Sequence, residues 1–328
     1  MRKLDSRAIT PAISLLAVAF SSISCFTSKP RPTPIPIGTA GVIYRANDID
    51  EFPSSFYDWK YDPNHLLLFY RGAWEIIAAE PVIGLYDWRT DEFHELKIPE
   101  LNAYNSVTYD FSQGPDSRFI AYSADGEIYL LNVEGGSVEH VTSGEDPSIS
   151  PESSRLAFWK MDEIFLIDLE TLEEETIYQS DKIFKSEGYS GSGCCLSWSP
   201  DGTYLAFILR TDSIEEGKRT IGESIILVNL DTQESHVVSE DREWSLPAWS
   251  PDGRLIASVQ NDMRYGSEIR ILDPFNNCVV DRFRTGPISH VMWFPDGKEI
   301  GMIYFSRQIY LLDVEAAFGA PYTSLACK

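Results

Sequence analysis

Apolar and polar positions alternate in short runs along most of this chain, and the runs recur as a unit. The plainest copies read Leu196-Ser-Trp-Ser-Pro-Asp-Gly-Thr-Tyr-Leu-Ala-Phe207, Pro247-Ala-Trp-Ser-Pro-Asp-Gly-Arg-Leu-Ile-Ala257 and Val291-Met-Trp-Phe-Pro-Asp-Gly-Lys-Glu-Ile-Gly301. Three weaker copies precede them, spanning Trp59 to Phe69, Phe111 to Tyr122 and Ile149 to Phe158, and the shared prolines fall at 63, 115, 151, 200, 251 and 295. A further apolar run ending in an acid or amide follows each copy: Ile83 to Asp87, Ile128 to Asn132, Ile164 to Asp168, Ile225 to Asn229, Ile269 to Asp273 and Ile309 to Asp313. After a polar turn comes a fourth short run, such as Val138 to Thr142, Glu175 to Tyr178 or His236 to Ser239. Runs of this length, rich in β-branched and aromatic residues, read as strands. Four strands in each of six units of roughly 47 residues predict an all-β, six-bladed β-propeller of four-stranded antiparallel blades. Helix signals are weak throughout.

The repeated turn has a physical reason. Proline presets φ for the first turning position, aspartate accepts from backbone N–H groups two residues on, and glycine takes the positive φ that closes a tight hairpin. Asp201, Gly202, Asp252, Gly253, Asp296 and Gly297 are therefore expected to be structural turn residues. Trp198, Trp249 and Trp293 stand two residues before the proline, where a large ring fills the space between twisted blades. Gly41-Val-Ile-Tyr-Arg45 is a spare strand ahead of the first blade. It is expected to complete the last sheet beside a strand at Tyr322 to Cys327, because joining first and last blades removes exposed edges.

Residues 1–24 have the form of an export signal, with Arg2, Lys3 and Arg7 ahead of an apolar stretch from Ala8 to Phe20 and a serine-rich tract. The tract ends in Ser22-Ile23-Ser24-Cys25, which resembles the bacterial lipobox, although Ser22 stands where leucine is usual. That resemblance implies lipidation of Cys25. The same stretch also fits plain secretion with cleavage after Ala17-x-Ala19, or retention as an uncleaved anchor, and each reading puts the domain outside the cytoplasm. Pro30, Pro32, Pro34 and Pro36 form an extended spacer. The domains expected are thus a signal peptide over 1–24, a proline-rich linker over 25–40 and the propeller over 41–328.

The Trp-Ser-Pro-Asp-Gly turn followed by Leu-Ala-Phe resembles the repeats of the TolB-type propeller superfamily, related in architecture to WD-repeat proteins. The resemblance covers almost all of the chain after the linker. It implies the fold, and it leaves the function open, because the family includes envelope proteins, propellers of prolyl peptidases and lyases of uronate oligosaccharides. Residues 25–40 stand where TolB itself carries a small α/β domain.

A formal charge of −23 and a pI near 4.5 argue against nucleic acid as a partner. No catalytic residues, cofactor or metal are expected. The nearest approach to a Gly-x-Ser-x-Gly nucleophile elbow, Gly188-Tyr-Ser-Gly-Ser192, fails at its last position and has no helix to follow. The five histidines, at 65, 94, 140, 236 and 290, are scattered singly, without the clustered His and Gln that the lyases of this family use. His290 precedes the inner strand of blade six, where an ordinary partly buried imidazole is favoured over a ligand. Asp48, Asp50 and Glu51 lack the rest of a calcium loop and read as a solvated acidic loop. Cys194, Cys195, Cys278 and Cys327 allow three connectivities. A vicinal 194–195 bridge is one, bridges from that pair to the outer-strand cysteines are geometrically poor, and unpaired burial is favoured.

In a propeller the loops between blades and those joining second to third strands open on one face, and the Pro-Asp-Gly turns on the other. The long connections at 71–81, 98–106, 179–194, 210–223, 240–246 and 260–267 all fall on the first face, which is where function usually follows. They carry Trp74, Tyr189, Trp244 and Tyr265 as amphipathic anchors. Arg210, Lys218, Arg219 and Arg264 supply a basic rim, with Lys182 and Lys185 nearby. The expected function is an exported, membrane-anchored, monomeric binding or scaffold protein that engages a protein or glycan partner through this face. It meets the membrane through its lipid anchor only. The alternative is a glycan-directed lyase or hydrolase at the channel mouth.

Overall fold

The computed structural model describes residues 34–35, 43–48, 55–58, 65–70, 82–87 and 92–96 as strand backbone. It describes 111–114, 118–179, 190–215, 218–239, 246–262, 266–286, 288–304 and 308–327 more fully, with side chains except at 113, 190–192, 211–221, 261–262, 266, 289, 304 and 308–309. Cys25, Trp74, Tyr189, Trp244, Arg264, Tyr265 and most of the expected linker lie outside the described residues, as do residues 1–24.

Six antiparallel sheets follow one another along the chain. Blade one holds Ser55–Asp58, His65–Tyr70, Val82–Asp87 and Glu92–Leu96. Blade two holds Phe111–Gln113, Phe119–Ala124, Glu127–Asn132 and Val138–Ser143. Blade three holds Glu145–Ile149, Arg155–Lys160, Glu163–Asp168 and Glu174–Gln179. Blade four holds Ser190–Trp198, Tyr204–Glu215, Lys218–Asn229 and Ser235–Ser239, and blade five Ala248–Trp249, Ile256–Asp262, Gly266–Asp273 and Cys278–Thr285. Blade six takes Ile288–Trp293, Glu299–Tyr304 and Gln308–Asp313 from the end of the chain. The molecule is a six-bladed β-propeller.

The early strand Ile43–Asp48 completes blade six by pairing with its third strand, Ile43 opposite Leu312 and Tyr44 opposite Leu311. Pro34 and Ile35 add a short fifth strand on its outer edge, where a missing N–H costs no ladder bond. The expected partner at 322–327 is not a strand. Asp313 caps a short helix, Val314–Phe318, by accepting from the Ala316 N–H, and Gly319 ends it at φ +74. A 3₁₀ turn follows at Tyr322–Ser324. The chain therefore leaves the sheet after Asp313 and frees the fourth place for the early strand.

The repeats explain the core. Tyr204 and Leu255 N–H groups donate to the Ser199 and Ser250 hydroxyls, which in turn donate to the Asp201 and Asp252 carboxylates. Gly202, Gly253 and Gly297 sit at φ +71, +70 and +70, which only glycine adopts cheaply. The Trp198 indole N–H donates to the Ser148 carbonyl at 3.0 Å and the Trp249 indole N–H to the Ser197 carbonyl at 3.2 Å. Each ring thus pins its own inner strand to that of the preceding blade. In blades three to five the acid or amide ending the third run caps the turn that follows: the side chains of Asp168, Asn229 and Asp273 each accept from two of its N–H groups. Between blades three and four, Trp159, Tyr178 and Phe207 pack edge-on, with ring centroids 4.8–6.4 Å apart. Gly193 lies so close that a Cβ there would stand 1.8 Å from the Trp159 ring.

All four cysteines of the propeller are bridged, contrary to the expectation of unpaired thiols. Cys194 pairs with Cys195, and Cys278 with Cys327 across a Cα separation of 6.2 Å. The second bridge forms because the C-terminal tail doubles back onto blade five. There Phe318 meets Phe283, the Arg254 guanidinium donates to the Thr323 carbonyl at 3.1 Å, and Leu325 is buried. Among the described residues no helix is long and apolar enough to cross a membrane.

Candidate functional site

On the long-loop face the structure replaces an expected loop with β-structure. The middle strands of blade four run for twelve residues each, twice the six of their counterparts in blade three, and pair to their tips, where Glu215 stands opposite Lys218. Residues 216–217 alone separate them. Ser190 to Gly193 of the inner strand pair alongside, against Asp212 to Leu209. The result is a three-stranded flap on the long-loop side of the ring. The β-branched Thr211, Ile214, Thr220 and Ile221 suit strands, and opposite charges face each other across the pair at Arg210–Glu223 and Glu215–Lys218. Blade five is extended likewise, with Asp262 opposite Gly266.

Of the expected contact residues, Lys218 and Arg219 have their backbone at the tip of this flap. Arg210 stands at its base with its guanidinium on Glu223, at 2.9 Å from Nε and 2.6 Å from Nη2. Glu223 is only 7% exposed, so this pair holds the flap together and Arg210 is committed to it. The other expected anchors on this face lie outside the described residues.

Inside the ring, the position five residues before the repeat proline carries a feature that sequence reading missed. It is Asp146, Cys195, Leu246 and His290 in blades three to six, and Asp58 in blade one. The inner-strand register shifts at or next to it between Phe56 and Asp58, Glu145 and Ser148, Cys194 and Ser197, and Ile288 and His290. Such bulges re-aim side chains. Asp146 and Cys195 have φ of +48 and +70, and the Asp146 carboxylate accepts from the Cys195 N–H. The His290 Nδ1 is shut off from solvent without a partner, and burial pushes its pKa down to about 4. Counting back from each proline would have found this level.

At the turn end of the same inner strands lies a cavity of about 360 Å³. Its walls are Trp198, Trp249 and Trp293 with the repeat prolines 151, 200, 251 and 295, closed by Leu246, Ala248 and Val291. The turn carboxylates stand at this end. Burial alone would raise the Asp201 carboxyl, but the Ser199 hydroxyl and Thr203 N–H hold it below its ordinary value. Asp252 is lowered in the same way, by Arg254 and Ser250 against its burial. Among the described residues one cluster approaches metal-ligand spacing: Asp273, Cys278 and Cys327 place donor atoms within 4.8 Å of one another. The two sulfurs are bonded together, so the thiolates a metal would need are not available.

No protein-family model and no curated protein matches the chain. Solved structures do. TolB from Acinetobacter baumannii aligns over 84% of this chain at 14% identity with a TM-score of 0.51. The fold is that of a TolB-type propeller. The chain spans only 60% of that TolB structure's length. Oligogalacturonate lyase from Vibrio parahaemolyticus aligns at 14% identity and a TM-score of 0.50 over 87% of this chain and 99% of its own. An oligogalacturonate lyase in complex with manganese gives 14%, 0.52, 86% and 98%. At such identity the likeness of this propeller to each of them is one of fold.

Proposed function

We propose that the chain is an exported binding or scaffold propeller, tethered through Cys25, that engages a protein or glycan partner of the cell envelope through its long-loop face. The observation that carries this reading is the blade-four flap. It lifts the paired strands 210–215 and 218–223 beyond the length common to the other blades, with Lys218 and Arg219 at the tip of a chain whose formal charge is −23. A projecting hairpin whose tip carries Lys218 and Arg219 beside Glu215 and Glu216 offers charges of both signs for oriented capture of a complementary partner. The lyase alternative draws on likeness of fold alone. TolB-type neighbours and the N-terminal signal both support a place outside the cytoplasm.

The test is capture from a native envelope extract by the immobilised propeller and by its Lys218→Glu/Arg219→Glu/Arg264→Glu variant. Arg210 is left intact because reversing it would strand the buried Glu223 carboxylate without its partner. Loss of the captured species in the variant, at unchanged melting temperature, is the expected result. Equal capture by both proteins would overturn the long-loop-face reading.

A further inference from the structure

The inner strand of the blade-four flap opens with Ser190-Gly-Ser-Gly193, a run of low β-propensity whose glycines weaken a strand. These residues nevertheless pair with Asp212 to Leu209. Directly after them the ladder is interrupted. Cys194 stands opposite Ile208 and Ser197 opposite Ala206, so Cys195 and Leu196 together face the single residue Phe207. This bulge is the hinge between flap and blade, and the Cys194–Cys195 bridge lies in it. Cys195 has φ +70, and its N–H donates to the Asp146 carboxylate of blade three. Blade three bulges at the same level with Asp146 itself at φ +48, but aspartate tolerates left-handed backbone and cysteine does so less readily. A disulfide between neighbouring residues closes a small ring through the peptide bond that joins them, and that ring restricts the backbone at the hinge.

We infer that Cys194–Cys195 is a reversible redox site, reduced by a protein dithiol, whose state sets how firmly the flap is held. The device works whatever the flap binds. Cys278–Cys327 spans a Cα separation of 6.2 Å, within the usual range, whereas adjacency confines Cys194 and Cys195 to 3.7 Å, and bridges forced outside that range are the more easily reduced. Cys194 is exposed, so its sulfur is the one an incoming thiolate reaches, while Cys195 is half-buried against apolar side chains of blades four and five. The donor thiolate bonds to Cys194 Sγ, the bond between the two sulfurs breaks, and the Cys195 sulfur leaves with the electron pair and takes up a proton. The donor's second thiolate then attacks its own sulfur in the mixed disulfide, and Cys194 is released and protonated. Two electrons have passed, and the donor departs as a disulfide. Without the ring, Cys195 is free to return to extended backbone, which withdraws its N–H from Asp146 and lets the Ser-Gly-Ser-Gly strand fray from the flap.

The experiment equilibrates the purified chain with mixtures of reduced and oxidised dithiothreitol, traps free thiols by alkylation, assigns them by mass spectrometry and follows amide hydrogen exchange in the same samples. Cys194 and Cys195 should be alkylated together at dithiol fractions that leave Cys278 and Cys327 bridged. In those samples the amides of 190–194 and 208–212 should exchange about tenfold faster, with those of 155–168 in blade three unchanged, and the slow exchange should return on reoxidation. Cys194→Ser/Cys195→Ser, in which Cys278–Cys327 stays closed, should show the fast exchange with or without reductant. Should this variant fail to fold, the wild type in its two states carries the test. Alkylation of Cys194 and Cys195 before any reductant is added, reduction no easier than that of Cys278–Cys327, or equal exchange in the oxidised and reduced states would each overturn the inference.

Discussion

Cys327→Ser lowers the melting temperature of the propeller by roughly 5–10 °C, the equivalent of about 2–4 kcal/mol for opening a loop of this size. The bridge joins residues 49 apart and is one of the ties that return the tail to blade five, beside Arg254 and the Phe283–Phe318 contact. Opening it restores chain entropy to the unfolded state and loosens Leu325 and Tyr322 from their packing. Reductant should lower the wild type by a similar amount and change the variant little. The remaining bridge joins adjacent residues, Cys194 and Cys195, and closes no loop of consequence. Thermal melts of both proteins with and without reductant give the answer. Equal melting temperatures would show that the tail holds through its noncovalent contacts alone.

Acidification produces the second large effect, and His290 is its source. Burial holds the folded imidazole neutral, with a pKa of about 4 against an ordinary 6.5. The stability that depends on a neutral ring is complete above pH 6.5. It falls as the pH drops and the unfolded chain takes up the proton first, and is lost by about pH 4. Two and a half units correspond to about 3 kcal/mol. The turn carboxylates of Asp201 and Asp252 are also held low, but their contribution is lost only at more acid pH, beneath the ordinary carboxylate range. Urea unfolding at intervals between about pH 7 and pH 4 should therefore show a slope that His290→Gln removes. A slope that persists in the variant would place the sensitive group elsewhere.

Blades and turns are legible in the sequence because the same local chemistry is used again and again. Pro-Asp-Gly cannot close a hairpin in many ways, and the tryptophan two residues earlier has one space to fill. The acid at the end of the third strand in blades three and five is a turn cap, which is why Asp168 and Asp273 are structural. What stays hidden depends on contacts between distant parts of the chain. The spare strand near residue 43 is plain in the sequence but its neighbour is not, since Asp313 followed by Val-Glu-Ala-Ala-Phe starts a helix that carries the tail away from the sheet. Nothing in the spacing of Cys278 and Cys327 shows the tail returning across blade five. Residues 210–223 read as a loop because they are polar, yet their β-branched residues and facing charges are those of a hairpin. Arg210 looks like a free rim cation, and only the register that sets it opposite Glu223 shows otherwise. The orphaned Trp293 N–H cannot be seen at all, because its sequence matches its two satisfied counterparts.

Central to the proposed function is that this propeller works by binding rather than by chemistry, although its fold is shared with an oligogalacturonate lyase. Incubating the purified chain with oligogalacturonate, with and without manganese, and following the absorbance of unsaturated uronate products tests it most directly. No increase over a buffer control is expected in either condition. A steady, protein-dependent rise that manganese accelerates would contradict it.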